Sequence, residues 1–210
     1  MKYKSRKNLL EELKLLPYFS KEYVCQLAKN EHNYNLTDST INTYISRYLK
    51  NKEIIQLKRG IYVSSNFYDK NKGKISYLFY LANILRKPSY VSSWAALEYY
   101  GLTTESIYYI ISSITSKVAW EYKTKIANFT YNSLTNSLFS NFILEKGEFD
   151  FFIASPSKAL FDLLYFKTNK FRGVKFEDIK VLVEELRIDI DAMNNKQKEN
   201  FFLLIKKYIS

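Results

Sequence analysis

The sequence predicts an α+β protein: a small N-terminal unit of three helices closed by a β-hairpin, then a larger unit in which helices flank a mostly antiparallel sheet. Three observations predict it. Residues 9–16, 21–29 and 39–49 carry helical apolar spacing. Ile54-Ile55-Gln56-Leu57 and Ile61-Tyr62-Val63 read as strands joined across Lys58-Arg59-Gly60. Beyond residue 75, runs of β-branched and aromatic residues alternate with helical segments. The expected domains are residues 1–66 and 75–210.

The third helix carries the most information. Thr37 or Asp38 is its expected N-cap, and Ile41, Ile45, Tyr48 and Leu49 form one apolar stripe toward the core. The other face holds Ser39, Thr40, Asn42, Thr43, Ser46, Arg47 and Lys50, with no acidic residue between Ser39 and Lys50. Asn is suited to adenine edges and Arg to guanine edges in a major groove. The second helix opens on Ser20 and Lys21, which can meet backbone phosphates. The hairpin tip offers Lys58 and Arg59, and Gly60 supplies the backbone freedom of the turn. Three helices followed by a basic hairpin is the order of a winged helix-turn-helix, a DNA-binding fold. Lys2, Lys4, Arg6 and Lys7 form a basic N-terminal cluster, read either as an arm touching phosphates or as a solubilising terminus.

The charge distribution agrees. The chain has 32 Lys and Arg, 21 Asp and Glu, and a net charge of +11. Residues 1–75 hold 15 basic against 7 acidic residues, whereas residues 76–210 hold 17 against 14. The excess is concentrated on the segment whose pattern suits DNA. With 47% apolar residues a packed core is expected. No run of about 18 apolar residues occurs, so neither signal peptide nor membrane span is predicted and the expected location is cytoplasmic.

In the larger unit, Ser64 to Lys74 reads as a polar linker and Ile75 to Leu85 as an apolar helix. Ser92 or Ser93 should cap a short helix that Gly101 ends. Residues 107–115, 126–131, 142–145 and 149–154 have strand composition. Residues 155–166 form a helix with Pro156 in its first turn, and helices are expected near 175–186 and 195–209.

Catalysis is not expected. Cys25 reads as a core thiol and His32 as a loop residue, too few for a zinc site. Glu145, Glu148 and Asp150 with Lys158 are the candidates for a metal-dependent nuclease, but that lysine falls on a helix and the acids fit a turn around Lys146-Gly147. No phosphate loop, nucleophile elbow or His-based triad occurs. No cofactor, metal or catalytic residue is therefore predicted. Tyr99-Tyr100 and Tyr108-Tyr109 could stack on single-stranded bases, against the simpler reading that they pack. Lys117, Lys123, Lys125, Lys167, Lys170 and Arg172 could extend a basic surface.

The motif order resembles the AbiEi family, the antitoxins of type IV toxin–antitoxin (abortive infection) pairs. The resemblance runs from the N-terminal unit through Arg59-Gly60-Ile61-Tyr62-Val63 and the block from Pro88 to Thr103. Its most specific part is Ala154-Ser155-Pro156-Ser157-Lys158-Ala159-Leu160-Phe161-Asp162-Leu163-Leu164, in which Ser157 stands where the family more often has Glu. The resemblance implies an autorepressor that binds inverted repeats in double-stranded DNA upstream of its own operon. It also implies a role opposing a nucleotidyltransferase-like toxin without a stable complex. The alternative is an RNA-binding or nuclease-like protein that protects or processes the toxin's nucleic-acid target.

Overall fold

The computed structural model describes residues 2–30, 36–104 and 109–209. The chain begins with α1 (Lys2–Leu13), β1 (Phe19–Ser20), α2 (Lys21–Asn30) and α3 (Asp38–Lys50). The hairpin β2 (Ile54–Lys58) and β3 (Ile61–Ser64) follows, then α4 (Ser65–Asn71) and α5 (Ile75–Leu85). Next come β4 (Ser89–Val91), α6 (Ser93–Tyr99), β5 (Ile110–Thr115), β6 (Trp120–Lys123), β7 (Asn128–Ser133), β8 (Phe142–Glu145) and β9 (Phe151–Ala154). The chain closes with α7 (Pro156–Lys167), α8 (Phe176–Glu185) and α9 (Asn195–Tyr208). The α+β class is as predicted. Among the described residues, no helix is long and apolar enough to cross a membrane.

Two apolar clusters organise the molecule. The smaller gathers Leu9, Leu13, Val24, Leu27, Ile41, Ile45 and Tyr48 from α1–α3 with Phe19, Ile54 and Tyr62. The larger is built around the C-terminal sheet. The hairpin serves both, because alternate strand residues point to opposite faces. Ile54 and Tyr62 enter the small cluster, while Leu57 and Val63 enter the large one. The short β1 adds to this sheet in the order β1-β3-β2, with Phe19 opposite Tyr62.

The large sheet runs β6-β7-β5-β4-β9-β8. Its pairs are antiparallel at β6–β7, β4–β5 and β8–β9, and parallel at β5–β7 and β4–β9. It is thus a mixed sheet, and its longest ladder, β5–β7, is parallel. Helix α5 packs on β4, β5 and β9, α6 on β5 and α7, and α7 on β9 and α9. All three residues of β4 are buried.

Several expectations change. Residues 64–74 are not a linker: Ser64 Oγ accepts the Phe67 amide at 3.0 Å and caps α4. Phe67 and Tyr68 then pack on the large core, and buried Asn71 donates to the Phe67 carbonyl at 2.9 Å. Lys2, Lys4, Arg6 and Lys7 fall within helix α1. Helix α1 ends at Leu13, short of Leu16. Strands β4 and β6 are additional to those predicted. His32, Ile107 and Tyr108 lie outside the described residues.

Candidate nucleic-acid interface

Helix α3 is capped by Thr37, whose Oγ1 accepts the Thr40 amide at 3.2 Å. Its inner stripe is Ile41, Tyr44, Ile45 and Tyr48, all buried, and Tyr44 is an addition to the predicted set. That stripe fixes the rotation of the helix and leaves Ser39, Asn42, Thr43, Ser46, Arg47 and Lys50 exposed on the other side. Thr43 Oγ1 donates back to the Ser39 carbonyl at 3.0 Å, and Thr40 Oγ1 lies 3.0 Å from Thr37 Oγ1. Those two hydroxyls are partly committed to the helix. Asn42, Ser46, Arg47 and Lys50 make up an acid-free exposed stretch of about two turns. Asp38 lies ahead of them, 3.7 Å from Lys29 Nζ.

The entry to α2 is anchored to the hairpin. Ser20 Oγ accepts the Tyr23 amide at 3.1 Å, and the Lys21 amide donates to the Gly60 carbonyl at 2.9 Å. Gly60 has φ of +81°, a left-handed conformation that a side chain would strain. Glu22 is held below the usual carboxylate range by hydrogen bonding at the helix start, including Ser20, and by the nearby Lys21 charge. Ser20 is therefore first a capping residue. Lys21 and Arg59 flank the same tip, Arg59 exposed and Lys21 half-buried.

Lys58 departs from expectation. Its ammonium donates to the Leu85 carbonyl at the C-terminus of α5, 2.6 Å away, and lies 5.7 Å from the Tyr122 ring centroid. Partial burial, then the charges of Arg86, Lys117 and Lys87, lowers its proton affinity below that of an ordinary lysine. It turns inward to the large sheet, away from a free tip. Strand pattern could not reveal this, since it depends on what packs against the hairpin.

The other candidates divide in the same way. Glu148 pairs with Lys74 at the start of α5, 2.7 Å away, and Asp150 Oδ1 accepts the Gly147 amide at 3.0 Å within its own turn. Lys158 is fully buried against Asp162, Oδ1 to Nζ 2.5 Å, rather than near those acids. Among the described residues, no three His, Cys, Asp or Glu side chains converge as a metal would require. Tyr100 Oη donates to the Ala154 carbonyl at 3.0 Å, and Tyr99 packs edge-on to Phe151. Tyr109 is exposed. Cys25 packs against the small core, where burial raises its thiol pKa. Lys123 pairs with Glu121 at 3.7 Å, and Lys125 is exposed on the turn before β7. Lys167, Lys170 and Arg172 are exposed at and beyond the end of α7.

The block from Ala154 to Leu164 holds a buried polar node. Asp162 Oδ2 accepts from Ser92 Oγ at 2.7 Å and from Tyr90 Oη at 3.2 Å, while Oδ1 takes the Lys158 ammonium. Burial raises the Asp162 carboxyl pKa, opposed by Lys158 and the two hydroxyls. The node ties α7 to β4 and the start of α6. Ser157, at the start of α7, donates to Gln197 Oε1 of α9 at 2.7 Å, and its amide lies 3.3 Å from the same oxygen. An amide from α9 thus meets the helix start that a local carboxylate could serve.

No protein-family model matches the chain, and neither does any curated protein.

Proposed function

We propose that residues 1–66 form a winged helix-turn-helix that binds double-stranded DNA in sequence-specific fashion, and that the protein is a transcriptional repressor. The observation that carries this reading is the outward side of α3. Asn42, Ser46, Arg47 and Lys50 are exposed together, with no acidic residue between Asn42 and Lys50, on a helix whose rotation is set by four buried residues. On such a face Asn42 and Arg47 are the side chains able to pair bidentately with base edges. Arg59 at the hairpin tip and Lys21 at the α2 entry supply cations for flanking phosphates. Lys58 is set aside from this set, because its ammonium is engaged with α5.

The resemblance to type IV antitoxins narrows the proposal to an autorepressor that recognises inverted repeats upstream of its own operon and counters a nucleotidyltransferase-like toxin. The test is a gel-shift titration against that upstream duplex with bulk competitor and no divalent metal. A repressor retains a preference for the upstream duplex and leaves it intact when magnesium is added. Equal affinity for any duplex, or degradation with magnesium that Glu148→Ala abolishes, overturns the proposal in favour of the nuclease-like alternative.

A further inference from the structure

Four cations meet where the hairpin rests on the large sheet. Lys58 Nζ is bonded to the Leu85 carbonyl, which precedes Arg86 and Lys87. The Arg86 guanidinium donates to the Val118 carbonyl, which follows Lys117. The charges of Arg86, Lys117 and Lys87 all act on the Lys58 ammonium, so the four stand near one another along this seam. A cleft of about 660 Å³ is lined by Ser20, Glu22, Ile61, Ile84 and Lys87, so Lys87, alone of the four, also faces the entry of α2.

Helix electrostatics explains only part of this cluster. The C-terminus of α5 attracts a cation, and Lys58 with its 2.6 Å bond satisfies that requirement. Three more positive charges around it add repulsion, and of these only Arg86 has an acceptor among the described residues, the Val118 carbonyl. Among the described residues, no carboxylate forms an ion pair with any of the four; Glu22, across the cleft, is held by its own helix start and Lys21. Arg86 Nε is buried with no hydrogen-bond partner, and Lys87 and Lys117 are exposed. The exposed ammonium groups of Lys87 and Lys117, next in sequence to Arg86 and Val118, are charged donors without an acceptor among the described residues, which an oxyanion can supply.

We infer that Arg86, Lys87 and Lys117, backed by Lys58, form an anion site that binds a phosphate group at the seam between the hairpin and the sheet. The group is either a backbone phosphodiester of the duplex held by α3 or a free phosphate. Assignment to the duplex rests on the DNA-binding proposal; the site itself does not. An occupant there neutralises the seam and fastens the hairpin to the larger unit.

The test uses the full chain and the variant Lys87→Gln/Lys117→Gln, which alters only exposed side chains. Lys167→Gln/Lys170→Gln is the control of equal charge. Calorimetric titration with inorganic phosphate at constant ionic strength is expected to saturate for wild type and control. In the seam variant it should weaken about tenfold or more, as the loss of charge-assisted hydrogen bonds requires. The slope of log affinity against log salt for duplex binding is then read for the same proteins. A slope reduced by about 2 in the seam variant alone assigns the site to the duplex backbone. An unchanged slope with seam-dependent phosphate binding assigns it to free phosphate. The inference is overturned if phosphate does not saturate and the slope is unchanged, or if seam variant and control behave alike. Failure of wild type to prefer any duplex refutes the repressor reading while leaving the phosphate titration decisive for the seam.

Discussion

Removing the carboxylate of Asp162 should be among the costliest single changes in the larger unit. In Asp162→Ala, the Lys158 ammonium, 1% exposed, loses its 2.5 Å partner, and the Ser92 and Tyr90 hydroxyls lose their acceptor. Breaking a buried pair from one side costs about 3–5 kcal/mol, because a charge is left without compensation. With a urea dependence of about 2 kcal/mol per molar, the unfolding midpoint should drop by about 1.5–2.5 M. Lys158→Met is the informative partner. The carboxyl still accepts two hydroxyls, and burial without the ammonium raises its pKa further above the unfolded value. Its neutral form therefore supports the fold fully below the unfolded pKa, about 4, and that support is lost as pH rises through the folded pKa. The Lys158→Met deficit should be small at pH 4–5 and grow toward pH 8. Urea unfolding followed by circular dichroism at both pH values measures it. Equal cost for the two variants, or a Lys158→Met deficit independent of pH, would refute this reasoning.

Gly60→Ala should cost about 1 kcal/mol through its positive φ alone, since no atom lies within 4 Å of an added Cβ; urea unfolding reads it. Arg59→Ala should reduce the salt slope of duplex binding by about 1 without changing stability, whereas Lys58→Ala should lower stability by about 1 kcal/mol as the partly exposed bond to Leu85 is lost. Tyr77→Phe removes the 2.6 Å bond from Tyr77 Oη to the Pro17 carbonyl, which ties the large core to the segment between α1 and β1, and should cost about 1 kcal/mol in the same unfolding assay. Alkaline unfolding should begin above pH 10. Burial raises Tyr80 and Tyr100 to about 12, and Tyr77, Tyr90 and Tyr131 upward as well. Stability from these phenols is complete below pH 10 and lost as pH rises through the folded values; a pH titration of ellipticity that stays flat to pH 12 would contradict this.

Local patterns were legible where one side of an element is apolar. The Ile41, Ile45, Tyr48 spacing located α3 and its outward face, and β8 occupies residues 142–145 as read from composition. What depends on distant packing was not legible. Residues 64–74 look polar, yet Ser64 caps a helix because Phe67 and Tyr68 find the large core. Strand β4 is three residues of Ser, Tyr and Val, too short to show alternation, and β6 alternates only weakly as Trp-Glu-Tyr-Lys. The parallel β5–β7 ladder joins strands separated in sequence by β6 at the sheet edge, a crossing that no local signal encodes. The inward turn of Lys58 is hidden for the same reason, since its acceptor lies 27 residues away. Arg86 and Lys87 carried a faint signal, two cations directly after an apolar helix, but their meeting with Lys117 needs the fold.

The most direct test of DNA reading by α3 is fluorescence anisotropy of the upstream duplex and of a scrambled duplex, with wild type and Arg47→Ala at one salt concentration. Arg47→Ala is expected to lose about 1–3 kcal/mol of affinity for the upstream duplex while its binding to the scrambled duplex changes far less. Equal losses on both duplexes, or none on either, would contradict base reading by this helix.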